Sequence, residues 1–193
     1  MNPPVLIAGL GNPGDEYRHT RHNAGAMVVD RFAANRCSGW RNERKFFAEL
    51  ATGEHGGRKV LCIKPLTYMN LSGEAVAAVC RFHRIPVGQV LVVADDADLP
   101  LGALRMRPSG GFGGHHGLES VIQHLGSREF PRQRIGVARP EQAVRDIASH
   151  VLGDFSPQEA GVLAEVLDRA EQQIECWLDD GLAKAMSRFN RNR

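Results

Sequence analysis

Gln89-Val90-Leu91-Val92-Val93-Ala94-Asp95 is the segment that most constrains how this chain folds. The run is continuous and β-branched, with no polar alternation, so both of its faces have to be covered. It predicts a central strand in a sheet that carries helices on either side. Residues 5–10 form a second, shorter apolar run and predict another buried strand. Each run opens into a polar, turn-rich loop: "GLGNPGDEYRHTRHN" after the first and "DDADLPLG" after the second. In open α/β sheets, ligands bind beyond the carboxyl ends of strands, so these loops are where chemistry is expected.

The remaining segments alternate between strand and helix patterns. Asn23 is placed to cap a helix carrying Met27, Val28 and Phe32 on one face. Residues 46–51 and 60–63, joined by "TGEHGGR", predict a hairpin. Ser72 is placed to cap a helix with Ala75, Val76, Val79 and Phe82 inward and Pro86 beyond its end. "GALRMR" reads as a half-exposed strand, and "QRIGVA" as another. Between them, "SGGFGGHHG" leads into a helix through Leu118, Val121, Ile122 and Leu125. Ser156-Pro157-Gln158-Glu159 has the form of a capping box. The helix after it shows Ala160, Leu163, Leu167, Ala170, Ile174 and Trp177 on one face, and Gly181 ends it. The expectation is an α/β single domain over residues 1–193, with a twisted mixed β-sheet flanked by helices.

Hydrophobic residues make up 42% and charged residues 24%, as in soluble globular proteins. No apolar run approaches the roughly 20 residues of a membrane helix. Met1-Asn2-Pro3-Pro4 lacks the basic and apolar regions of a secretion signal. Cys37, Cys62, Cys80 and Cys176 show no C-x-x-C spacing, and two of them sit in apolar runs. A cytoplasmic protein without disulfides, metal or membrane contact is expected. The net charge of +2 conceals an asymmetry. Arg128, Arg132, Arg134, Arg139 and Arg145 face only Glu129 and Glu141, whereas residues 154–180 hold eight carboxylates against Arg169. The tail turns basic again with Lys184, Arg188, Arg191 and Arg193. Such a distribution suits a polyanion on one face, although charge alone fits a solvated surface equally well.

Gly9, Gly11 and Gly14 match the dinucleotide pattern G-x-G-x-x-G. That fold needs a helix to start at once, so that its N–H groups meet a pyrophosphate. Here Pro13 removes one N–H, Asp15 and Glu16 put carboxylates where phosphates would sit, and no helix begins before Asn23. Asp30 falls on that helix rather than at the end of a second strand, so no nicotinamide or flavin cofactor is expected. What the loop does present is Asn12, Tyr17, Arg21, His22 and Asn23.

A histidine from the first loop and an aspartate from the second can meet above the sheet as a general base and its orienting carboxylate. There is no G-x-S-x-G elbow and no cysteine in an activating context, which leaves water as the nucleophile. Taken singly, His22 also fits a cap histidine, and Asp95, Asp96 and Asp98 fit turn residues or a magnesium site beside a phosphate. His115 and His116 are adjacent, but neighbours on an extended loop point apart and lack H-E-x-x-H geometry.

Five segments together, "GLGNPGDEYRHTRHNAG", "KPLTYMNLSGEAV", "DDADLPLG", "GGFGGHHGLES" and "RIGVARP", give a resemblance to bacterial peptidyl-tRNA hydrolases over nearly the whole chain. The resemblance implies a monomeric α/β enzyme without metal, cofactor or obligate protein partner. Such an enzyme hydrolyses the ester between a peptide and the terminal ribose of tRNA. It also implies roles for residues. His22 would be the base, Asp95 its orienting carboxylate, and Asn12 the group that positions water or substrate. Asn70 would bind substrate and help stabilise the oxyanion, Tyr17 and Met69 would line the peptide and adenosine site, and His115 and His116 would bind substrate from the glycine-rich loop. Arg107 and Arg134 would hold the tRNA 5′-phosphate. Two departures stand out. His116 replaces the asparagine of the usual "GGHNG", which contacts the peptide backbone, and Ala94 replaces the histidine of "HDELDLP". The alternative is a non-catalytic RNA-binding relative of the same fold, against which intact His22, Asp95, Asn12 and Asn70 argue.

Overall fold

The computed structural model describes residues 3–139 and 147–190. Glu141, Arg145, Arg191, Arg193 and the dipeptide Met1-Asn2 lie outside them. Among the described residues, seven strands make one sheet: β1 (Val5–Gly9), β2 (Arg41–Glu43), β3 (Ala48–His55), β4 (Arg58–Pro65), β5 (Val90–Asp96), β6 (Leu104–Arg107) and β7 (Arg132–Gly136). Their order is β2-β3-β4-β1-β5-β7-β6. The middle of the sheet, β4-β1-β5-β7, is parallel, while β2-β3, β3-β4 and β6-β7 pair antiparallel. The two strongest apolar runs, β1 and β5, are therefore neighbours at the centre, as their lack of polar alternation requires.

Among the described residues, six α-helices cover the faces: α1 (Ala24–Arg36), α2 (Ser72–His83), α3 (His116–Leu125), α4 (Ile147–Leu152), α5 (Ala160–Asp180) and α6 (Leu182–Phe189). Because side chains alternate along a strand, each strand serves two cores. Val5, Ile7, Cys62, Leu91 and Val93 pack with Val28, Phe32, Ile174 and Trp177 on the α1/α5 side. Leu6, Ala8, Leu61, Ile63, Val90 and Val92 pack with Val76, Val79 and Val121 on the α2/α3 side.

Local details depart from the sequence expectations where polar chemistry outweighs pattern. The hairpin is longer than read, and Phe46 belongs to a 3-10 turn ahead of it. Gly56 and Gly57 make its two-residue turn with φ of 57° and 73°, as a primed turn demands. Ser72 does not cap α2: it is fully buried, and its hydroxyl donates to Met69 O at 2.8 Å. Phe82 is 60% exposed rather than inward, lying edge-on to Phe46. The capping box does form, with Ser156 N donating to Glu159 Oε2 at 2.7 Å and Glu159 N to Ser156 Oγ at 3.3 Å. Ala160 is exposed, however, and Val166, Gln173 and Cys176 join the buried face of α5.

Candidate active site

The carboxyl ends of β1 and β5 open on the same edge of the sheet, and two glycines let α1 seat against both. A Cβ on Gly25 would stand 2.2 Å from Val93 O, and one on Gly9 would stand 2.6 Å from Gly25 O. Leu10 N donates to Val93 O at 2.9 Å and Ala26 N to Leu10 O at 3.0 Å, stitching the first loop to β5 and α1. His22, in the 3-10 turn just before α1, is thereby held over Asp95 at the end of β5.

His22 Nδ1 lies 2.8 Å from Asp95 Oδ1, and His115 Nε2 lies 2.9 Å from the same oxygen. The two rings are 5.0 Å apart. Hydrogen bonding fixes the protons. His115 Nδ1 accepts from Gly117 N and Leu118 N at 3.1 and 3.3 Å, capping α3, so its proton is on Nε2 and is donated to Asp95. His22 likewise donates from Nδ1, which leaves its Nε2 as an unprotonated nitrogen when the ring is neutral. Burial, with only 4% of Asp95 exposed, works against its charge. The two imidazoles reverse that effect and hold its carboxyl well below the usual carboxylate range.

His22, Asp95 and His115 also offer three possible metal-ligating atoms within 4.8 Å of one another. A cation at that point would have to displace both imidazole protons that already satisfy Asp95. The arrangement fits a hydrogen-bonded triad rather than a metal centre.

Asn12 and Asn23 clasp each other: Asn12 N donates to Asn23 Oδ1 at 2.9 Å, and Asn23 Nδ2 donates to Asn12 O at 3.0 Å. Asn23 therefore braces the loop instead of capping α1 with its side chain. Asn12 Oδ1 accepts Met69 N at 2.8 Å, which fixes the orientation of the amide and leaves its NH2 to offer a ligand. Asn12, His22, Met69, Asn70, Asp95, His115 and His116 all line one cavity of about 1180 Å³. Met69 is buried against α3, whereas Asn70 is exposed on the rim. His116 is exposed too, 3.4 Å from Glu119. Ile147, Val151 and Leu152 of α4 add an apolar wall. Tyr17 is not among the lining residues; it sits in the 3-10 turn Asp15–Tyr17.

The arginine cluster divides by role. Arg132, 2% exposed, donates to the carbonyls of Gly110, Gly111, Arg128 and Phe130, and so holds the glycine-rich loop that precedes His115. Burial and the neighbouring Arg134 bring its guanidinium down to about 10. Arg134 is paired with Asp96 and Arg139 with Asp98, while Arg107 is exposed at the end of β6; Arg107 and Arg134 both line the cavity. By charge alone Arg132 belongs with the arginines expected on the surface, but its guanidinium is spent inside the protein. Arg132 is the first residue of β7, one position ahead of the strand pattern that begins at Gln133, so that pattern does not mark it as buried.

The "GLGNPG" turn faces a second cavity of about 660 Å³. There Lys64 is held by Asp30 and Glu49, Arg18 by Asp15, and Arg31 by Asp168 and Glu171. With those cations already neutralised and α1 starting only at Ala24, the glycine pattern offers no pyrophosphate cradle.

Comparison with known proteins agrees in one direction. The family model described as peptidyl-tRNA hydrolase matches residues 6–193. The peptidyl-tRNA hydrolase of Desulforudis audaxviator is 50% identical over 186 residues, covering 96% of this chain and 92% of that protein. That of Caldanaerobacter subterraneus is 46% identical, covering 96% of this chain and 98% of its own. The crystal structure of peptidyl-tRNA hydrolase from Acinetobacter baumannii superposes with a TM-score of 0.92 at 33% identity, covering 100% of this chain and 97% of that one.

Proposed function

The chain belongs to the peptidyl-tRNA hydrolase family, and from that premise we propose that it cleaves the peptide–ribose ester of peptidyl-tRNA with a water activated by His22. The observation that carries this reading is the proton arrangement at Asp95. With Nδ1–H committed to a buried carboxylate, His22 Nε2 takes a proton from water as the oxygen attacks the ester carbonyl. Asp95 stabilises the imidazolium that forms. The Asn12 NH2, fixed by the Met69 N–H on its other side, is a preorganised donor for the developing oxyanion, with Asn70 on the rim as a second amide. Collapse of the tetrahedral intermediate breaks the bond to the ribose oxygen, which takes the proton back from His22. One ester and one water give a peptide carboxylic acid and a free ribose hydroxyl.

His115 then serves the base rather than the peptide, because both of its nitrogens are occupied by α3 and Asp95. His116 keeps the substrate-facing role, and the α4 wall suits peptide side chains. Purified protein should release N-acetyl-amino acid from N-acetyl-aminoacyl-tRNA, continue to do so in EDTA, and spare unblocked aminoacyl-tRNA. Tight tRNA binding with no release would establish the non-catalytic alternative, and loss of activity in EDTA would replace water activation by His22 with metal chemistry.

Exposed Arg107 is the better candidate for a direct tRNA phosphate contact, with Arg134 partly neutralised by Asp96. Arg107→Ala is expected to weaken tRNA binding more at low salt than at high. The slope of log K against log salt should shrink by roughly 0.7–0.9, the share of one phosphate. Equal weakening at both salt concentrations, read by filter binding, would count against a phosphate contact.

A further inference from the structure

The Cys37 and Cys62 sulfurs are 3.7 Å apart, although 25 positions separate them in the chain. Their approach is built rather than incidental. Cys37 follows the last turn of α1, where its N–H is held by Ala33 O at 2.9 Å, and Ser38 N donates to Thr52 O at 2.9 Å. Gly53 permits the close packing, since a Cβ there would meet Arg36 O at 2.3 Å and Cys37 Sγ at 3.0 Å. Cys62 lies opposite Ala51 in the middle of the β3–β4 pair. Among the four cysteines only Cys37 is partly accessible; Cys62, Cys80 and Cys176 are buried.

We propose that Cys37 and Cys62 form an oxidation site at which a hydroperoxide converts the thiol pair to a disulfide, fastening the end of α1 to β4. The Cys37 thiolate attacks a peroxide oxygen, breaking the O–O bond and giving a sulfenic acid, with the departing oxygen protonated. The Cys62 sulfur then attacks the Cys37 sulfur, expelling water as its own proton leaves. With hydrogen peroxide, the two sulfurs together lose two electrons, and one peroxide becomes two waters. Cys37 is the entry point because oxidant reaches it first, and the hydrogen bond from Cys62 favours its thiolate over its ordinary state. Cys80 is a built-in control, since burial pushes its thiol up to about 12.

The bond would shorten the accessible loops of the unfolded chain, so its consequence is stability rather than catalysis; neither cysteine lines the cavity that holds His22. The test treats the protein with excess hydrogen peroxide, alkylates remaining thiols, and maps peptides by mass. A Cys37–Cys62 linked peptide is expected, together with a Tm about 9 °C above that of the reduced protein, the size expected for a disulfide closing a loop of this length. Dithiothreitol should reverse the shift, and Cys37→Ser should abolish both the link and the shift while hydrolysing peptidyl-tRNA normally. Sulfinic acid at Cys37 with Cys62 recovered as a free thiol, or a link to Cys80 or Cys176 instead, would overturn the proposal.

Discussion

His22→Asn is expected to lower kcat/KM on N-acetyl-aminoacyl-tRNA about 10³-fold, within the range that general-base catalysis contributes. Asparagine is the informative replacement because its NH2 can stand near the position of the imidazole Nδ1–H. The buried Asp95 carboxylate then keeps a second donor besides His115, and the fold is spared the cost of an under-satisfied buried charge. What asparagine cannot supply is a basic nitrogen in place of Nε2. The loss should therefore fall on kcat, with KM, the affinity for uncharged tRNA and Tm all close to wild type, because proton transfer is an interaction of the transition state alone. A variant that retained about a tenth of wild-type kcat or more would move the base elsewhere. His116 is a poor substitute for that role: it is exposed, and its carboxylate neighbour Glu119, 3.4 Å away, is itself only half-buried.

The two halves of this site were legible because each hangs from an apolar run that can only be a central strand. Once residues 5–10 and 89–95 are paired side by side, the loops bearing His22 and Asp95 have nowhere to go but the same edge. Side chains whose roles depend on loop closure were not legible. His115 was read as substrate-facing, yet both of its nitrogens are spoken for once the glycine-rich loop folds over Asp95 and α3 begins. Arg132 has the same history: its charge suggested a surface, but the loop carbonyls at Gly110 and Gly111 need donors, and a strand residue pointing at them provides two. Strand β2 escaped notice for the opposite reason, being three polar residues on an edge with no apolar alternation to mark them. Phe82 shows the limit of helical periodicity, which finds the face of α2 but not where the neighbouring layer stops.

Asp95→Asn should reveal what His115 contributes. In a simple His–Asp pair an asparagine can turn its NH2 toward the histidine, which forces the wrong tautomer and costs about 10⁴-fold. Here that turn is opposed. His115 Nδ1 is committed to Gly117 N and Leu118 N, so its Nε2–H needs an acceptor at the shared oxygen position. An asparagine at 95 must therefore present its carbonyl oxygen there, and His22 sees the same oxygen and keeps its proton on Nδ1. Only the stabilising charge is lost, and kcat/KM is expected to fall about 10²-fold. His115→Asn retains an acceptor that can cap α3 but removes the donor to residue 95. Alone it should cost about tenfold at most, since Asp95 remains a carboxylate and can be satisfied only by donors. Combined with Asp95→Asn it frees the amide to turn, and the double variant should fall to roughly 10⁴-fold below wild type, more than the two single losses multiplied. A single Asp95→Asn variant already at that level, with His115→Asn adding nothing to it, would mean that His115 does not govern the tautomer of His22.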